Sequence, residues 1–177
     1  MSIKTIFLDR DGVINKDINY LYSIDDFIFT EGIFDTCRHF LKLGYQIIII
    51  TNQSGIARGF YNTQDYQDLT QWMLDNFKEK GIQILDIFYC PHGPKSNCEC
   101  RKPKPGMILE AKNKHNINLK LSWMIGDNET DIKAARNSGI SNTILLSESD
   151  SNIINQNHSI AAFEISSIKH AKEIIIV

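Results

Sequence analysis

The chain lacks the features that would set it apart from ordinary folded, water-exposed proteins. No apolar run approaches the ~20 residues that a bilayer span requires; the longest, near Ile47 to Ile50, is strand-sized. No leader is recognisable, because Met1 to Asp11 is a short apolar run that ends in charges with no small-residue cleavage site behind it. A cytoplasmic protein with no membrane partner is therefore expected. Neither charge sign is in excess: 19 Lys and Arg against 21 Asp and Glu leave a net charge of -2, too little basic field to hold nucleic acid nonspecifically. No Gly- or Pro-rich linker and no internal repeat interrupts the 177 residues, so one domain, 1–177, acting as a monomer, is expected. The one polar low-complexity stretch, Ser147 to His158, carries no recognisable chemistry.

Cysteine is scarce, four in all, and three of the four lie between Cys90 and Cys100 beside His92. In a reducing compartment such a cluster points to a metal rather than to a disulfide framework. Cys90, His92, Cys98 and Cys100 supply three thiolates and an imidazole, which close a tetrahedral zinc site. With all four positions filled by protein, none is open to water, so the expected role is structural; free buried thiols are the alternative. Cys37 stands alone in a predicted helix and reads as core.

What the sequence does have is alternation. Short apolar runs at Lys4–Asp9, Gln46–Thr51, Ile84–Cys90, Ser122–Asp127 and Asn142–Leu146 predict strands buried on both faces. Between them, helices are predicted over Gly32–Leu43, from an N-cap at Thr63 to Gly81, from Pro105, and over Thr130–Ser138 up to Gly139. Tyr66, Leu69, Met73 and Phe77 recur at helical spacing and read as a core stripe. Ser159–Val177 reads as a final strand and helix. This is the pattern of an α/β doubly wound parallel sheet. In such sheets ligands bind beyond the carboxyl ends of strands, and the polar clusters Asp9–Gly12, Thr51–Gly55 and Gly126–Asp131 fall there.

Asp9 and Asp11 stand two residues apart where the first strand gives out, so in extended backbone they share a face. Two close carboxylates repel unless a cation or proton lies between them, and a hard divalent ion with oxygen ligands, typically magnesium, relieves this. A solvated turn would carry the same residues.

The ordered set Asp9-Arg10-Asp11-Gly12-Val13, Thr51-Asn52-Gln53, Lys102, and Gly126-Asp127 with Asp131 following resembles the four motifs of the haloacid dehalogenase superfamily across nearly the whole chain. The resemblance implies a Rossmann-like core and a phosphatase in which Asp9 is a covalent nucleophile and Asp11 a general acid and base. It further implies magnesium held by Asp9, the main-chain carbonyl of Asp11 and Asp127, with phosphate donors at Thr51 and the Asn52 amide and charge neutralisation by Lys102.

Within the superfamily, Thr51-Asn52-Gln53-Ser54-Gly55-Ile56-Ala57-Arg58-Gly59, Cys90-Pro91-His92 and Cys100-Arg101-Lys102-Pro103-Lys104-Pro105-Gly106-Met107 look like the heptose bisphosphate phosphatases, cap-less enzymes of nucleotide-activated heptose synthesis. The implied partner is a phosphorylated sugar whose second phosphate needs further cations. Arg58 and Arg101 are the candidates, with Gln53 and Ser54 as contacts to sugar hydroxyls. The histidinol phosphate phosphatases, which share the zinc loop, are the alternative within enzymes; a zinc-stabilised binding module without catalysis is the alternative outside them.

Overall fold

A computed structural model describes residues 2–147, 153–154 and 160–176. In chain order the elements are β1 (Thr5–Leu8), α1 (Ile33–Lys42), β2 (Gln46–Asn52), α2 (Gly55–Arg58), α3 (Thr63–Glu79), β3 (Asp86–Cys90), α4 (Gly106–His115), β4 (Trp123–Gly126), α5 (Glu129–Ser138), β5 (Asn142–Leu146), β6 (Ile153–Ile154), β7 (Phe163–Ile165) and α6 (Ala171–Ile174). The strands form one sheet in the order β3-β2-β1-β4-β5-β7-β6, parallel throughout except for the β6–β7 edge pair. The chain runs outward from β1 in one direction through β2 and β3, then returns to β1's other side with β4. The carboxyl ends of β1 and β4 thus flank the topological switch point, where an α/β sheet opens a crevice.

Strand alternation sorts the apolar residues into two layers. Ile6, Leu8, Ile47 and Ile49 point to one face and pack with Phe40 of α1 and Leu69, Met73 and Phe77 of α3. Phe7, Ile48 and Ile50 point to the other and pack with Met107 and Ile108 of α4 and Ala134 and Ala135 of α5. All of these are at most 1 % exposed; burying each large side chain contributes about 1.5–3 kcal/mol, which fixes strand register and with it the position of the strand-end residues. Cys37 is buried among the first layer, as expected of a core residue.

Helix boundaries follow local capping chemistry. The cap of α3 is Asn62, not Thr63: Asn62 Oδ1 accepts from the Asp65 main chain at 3.0 Å and Asp65 Oδ2 accepts from Asn62 N–H at 2.8 Å, a capping box. α5 begins at Glu129, one residue before the expected Thr130, because Asn128 and Asp131 form a second such box. The short α2 lies inside the segment read only as a loop. Of the polar stretch Ser147 to His158, only Ser147 and the backbone of Ile153–Ile154 fall within the described residues. No helix among the described residues is long and apolar enough to cross a membrane.

Candidate active site

The crevice beyond β1, β2 and β4 holds a cleft of about 270 Å³ bordered by Asp9, Asp11, Asn52, Arg101, Lys102 and Asp127. These residues come from four separated stretches of sequence. Asp9 leaves β1 with its main-chain N–H donating to Ile125 O at 3.0 Å, which ties Asp9 to β4. Its Oδ1 accepts from Arg10 N–H at 2.7 Å and meets Lys102 Nζ at 2.9 Å. Gly12 follows with φ +83°; a Cβ there would stand 1.9 Å from Asp127 Oδ2, so only glycine lets the β1 loop and Asp127 close on each other.

Lys102 is 3 % exposed and carries three short contacts: Asp9 at 2.9 Å, Asp131 Oδ1 at 2.6 Å and the Ile50 carbonyl at 2.9 Å. Burial alone would lower its ammonium, but Asp131 and then Asp9 outweigh burial and hold it above the usual lysine value. Asp131, fully buried at the first turn of α5, has no role that the sequence alone assigns. Its spacing from Asn128 is a capping-box signature, and that was the available signal. Gly126 makes room for it, since a Cβ at that position would lie 2.3 Å from Asp131 Cβ.

Oxygens of Asp9, Asp127 and Asp131 lie within 4.8 Å of one another. Burial, then Asp131, raise Asp9 well above the usual carboxylate range against the pull of Lys102. The same causes in the same order push Asp127 up to about 6. Three crowded carboxylates served by a single lysine are a site short of positive charge. Asp131 is turned to Lys102 and to Asn128 N–H, so Asp9 and Asp127 are the pair that fits a hard divalent cation.

Asp11 faces the cleft and is held by protein donors on both oxygens. Arg10 donates from Nη2 to Oδ1 and Oδ2 at 2.9 and 3.0 Å, Asn15 to Oδ1 at 3.0 Å, and Gln53 Nε2 to Oδ2 at 3.1 Å. Thr51 is buried at the end of β2, where Oγ1 accepts from Gln53 Nε2 at 2.9 Å. The Asn52 side chain brackets the Lys102 main chain, with Nδ2 donating to its carbonyl at 3.2 Å and Oδ1 accepting from its N–H at 3.1 Å.

The expected sugar contact at Gln53 meets a different geometry. Gln53 is 2 % exposed, both Nε2 hydrogens are engaged by Asp11 and Thr51, and Oε1 accepts from Tyr61 OH at 2.5 Å. Its amide therefore has no free donor for a substrate. Gln53 and Ser54 both border a small adjoining pocket with Asn19, Tyr20 and Tyr61. Arg101 reaches the cleft, its Nη1 donating to His92 O at 3.3 Å. Arg58 lies outside the cleft-lining residues, exposed, with its guanidinium 5.8 Å from the centre of the Tyr20 ring.

The second cluster is built on the loop after β3. Cys90, His92, Cys98 and Cys100 bring their ligand atoms within 4.8 Å of one another. Neighbouring pairs are 3.1 Å (Cys90–Cys100), 3.7 Å (Cys90–Cys98), 3.3 Å (His92 Nδ1–Cys100) and 3.5 Å (His92 Nδ1–Cys90) apart. Tetrahedral zinc–sulfur bonds of about 2.3 Å would set sulfurs ~3.8 Å apart; the Cys90–Cys98 pair matches this, and the Cys90–Cys100 pair would have to open by about 0.7 Å for the four groups to hold zinc. Burial pushes the Cys90 thiol up to about 12, whereas at Cys98 burial is outweighed by donors, first the Arg101 main chain and then Cys100, giving about 6.

Comparison with known proteins agrees with this geometry. A HAD-hydrolase-like family profile matches residues 99–159. D-glycero-alpha-D-manno-heptose-1,7-bisphosphate 7-phosphatase of Photorhabdus laumondii is 50 % identical over 151 residues, covering 81 % of this chain and 82 % of that protein. The corresponding D-glycero-beta enzyme of Helicobacter pylori is 48 % identical over 144 residues, covering 81 % and 83 %. Among solved structures, the D,D-heptose 1,7-bisphosphate phosphatase of B. bronchiseptica, complexed with magnesium and phosphate, superposes with a TM-score of 0.83 at 27 % identity, covering 97 % of each chain. With half its residues shared over four-fifths of its length, the chain belongs to the heptose-1,7-bisphosphate 7-phosphatase family of the haloacid dehalogenase-like hydrolases.

Proposed function

We propose that this chain, acting as one domain, hydrolyses the 7-phosphate of D-glycero-D-manno-heptose 1,7-bisphosphate through an aspartyl-phosphate on Asp9, a step of nucleotide-activated heptose synthesis. One observation carries the reading: Asp9 sits at the mouth of the switch-point crevice with Lys102 and Arg10 N–H both on Oδ1. Among the described residues no donor engages Oδ2, which leaves it for the chemistry. Asp9 attacks phosphorus, the bond to the sugar oxygen breaks, and Asp11 supplies the proton that oxygen needs. Asp11 then accepts a proton from water as that water attacks phosphorus and releases the Asp9 carboxylate. Lys102 offsets negative charge on Asp9 and the transferring group, and Thr51 Oγ1 with the Asn52 main-chain amide donates to phosphate oxygens.

Asp9, Asp127 and the Asp11 carbonyl would hold magnesium, which when bound lets the anionic nucleophile approach an anionic phosphate. Cys90, His92, Cys98 and Cys100 would hold structural zinc, bracing the loop that delivers Arg101 and Lys102. Arg101 at the cleft and Arg58, beside the Tyr20 ring of the adjoining pocket, supply cations for the second phosphate. In the test, Asp9→Asn is expected to abolish phosphate release and to remove the acid-stable label that radiolabelled substrate leaves on the wild-type protein. Undiminished turnover by that variant would overturn the covalent route.

A further inference from the structure

Gln53 lies between two groups that the reaction uses differently. On one side Nε2 donates to Asp11 Oδ2 at 3.1 Å, and on the other to Thr51 Oγ1 at 2.9 Å. An amide can present its oxygen or its nitrogen to a neighbour; Asp11 Oδ2 can accept from the nitrogen both while the carboxyl carries the proton it transfers and after it has given that proton up, so catalysis needs the nitrogen on this side. Tyr61 decides the matter. Its hydroxyl donates to Gln53 Oε1 at 2.5 Å, and burial pushes that hydroxyl up to about 12, so it remains a donor at neutral pH. Tyr61 itself is 6 % exposed, ring-stacked with Tyr22 at 5.6 Å, and pressed onto Gly55, where a Cβ would stand 2.1 Å from its ring. A rigid phenol therefore fixes the amide, and the amide fixes the carboxylate.

We infer that Gln53 is a positioning residue for the acid step: anchored by Tyr61, it holds Asp11 in register with Thr51 so that the Asp11 proton meets the leaving oxygen. The inference rests on the reading of Asp11 as general acid and extends it to Gln53 and Tyr61. Arg10 and Asn15 hold mainly Oδ1 of Asp11. Oδ2 takes Arg10 Nη2 at 3.0 Å and Gln53 Nε2 at 3.1 Å, and among the described residues Gln53 is the one donor to Asp11 from outside the loop that follows β1. Removing it leaves Asp11 held by Arg10 and Asn15 of its own loop, with no bond tying the carboxyl to the end of β2. This is the arrangement by which a third group orients an acid or base in other catalytic constellations.

The test is dependence on the leaving group. Phenyl phosphate and p-nitrophenyl phosphate have nearly the same shape and no sugar, but nitrophenolate departs readily without a proton whereas phenolate does not. kcat/KM reports the steps up to expulsion of the leaving group. For Gln53→Met, of similar volume, kcat/KM is expected to fall at least about fivefold further on phenyl phosphate than on p-nitrophenyl phosphate, relative to wild type. Tyr61→Phe, which removes only the anchoring hydroxyl, is expected to shift the same ratio in the same direction by less, and carries the test should Gln53→Met not fold. Equal losses on both esters for the two variants would overturn the inference, as would no loss at all; a direct sugar contact at Gln53 would give that outcome. Asp11→Asn separates the two layers. If it shows the leaving-group preference and Gln53→Met does not, the positioning role fails alone; if Asp11→Asn shows none, the acid assignment fails and the positioning role with it.

Discussion

The side-chain amide of Asn52 grips the main chain of Lys102 from both sides, accepting its N–H at 3.1 Å and donating to its carbonyl at 3.2 Å. Fifty residues of sequence separate the two. This pair of hydrogen bonds fastens the loop after the cysteine cluster to the end of β2, and so sets where the buried ammonium stands relative to Asp9.

Asn52→Ala should release that loop while leaving the Asn52 main-chain amide in place. A displacement of the lysine by even an ångström is expected to lower kcat about tenfold to hundredfold. The lost bonds should lower stability by about 1–3 kcal/mol. Steady-state kinetics and urea denaturation check the two parts; unchanged kcat would mean that Lys102 is positioned by its ion pairs alone.

Lys102→Met removes the one cation among Asp9, Asp127 and Asp131. Breaking a buried charge group in this way costs roughly 3–5 kcal/mol. The native pKa values of Asp9 and Asp127 are already raised, so the folded state takes up protons as pH falls, and protonation relieves the crowding. The destabilisation should therefore be larger at pH 8 than at pH 5 in magnesium-free buffer, as read from denaturant midpoints. Equal losses at both pH values would contradict this electrostatic origin.

Magnesium held as proposed requires an ionised Asp127, whose carboxyl is pushed up to about 6. Apparent magnesium affinity should be nearly constant above pH 7 and should fall steeply as pH drops through 6, because protons then compete for the ligand. Half-saturation of phosphatase activity by magnesium, measured from pH 5 to pH 8, provides the check. An affinity flat across that range would exclude Asp127 as a ligand that must lose a proton.

The skeleton of this site is legible in the sequence because each part of it is local. Asp9, Thr51 and Asp127 end apolar strands, and their spacing from those strands alone places them at the crevice. The three cysteines and His92 are likewise visible as a cluster within one loop. What stayed hidden depends on contacts across the sheet. Asp131 stands in the sequence only as an acid following Gly126-Asp127 until β4 and the Lys102 loop are brought together, and Gln53 reads as a contact to sugar hydroxyls until Tyr61 folds over it. Asn62 replaced Thr63 as the α3 cap for a subtler reason: both are good caps, and only the reciprocal bond with Asp65 decides between them. Arg58, expected from the sequence as a cation for the second phosphate, is set over Tyr20, a pairing no periodicity encodes.

Cys98→Ser should lower zinc content from about one ion per chain toward zero and should lower Tm by roughly 5 °C or more. Because the same loop carries Arg101 and Lys102, activity should fall as well, and added zinc should not restore it. Protein purified without chelators that contains no zinc would contradict the metal reading of this cluster.

The most direct measurement is kcat/KM for phosphate release from heptose 1,7-bisphosphate and from histidinol phosphate, side by side with magnesium present. A preference for the bisphosphate of tenfold or more, about 1.4 kcal/mol in transition-state binding, is the expected result. A preference for histidinol phosphate, or hydrolysis of neither, would contradict the assignment of this site to a sugar bisphosphate.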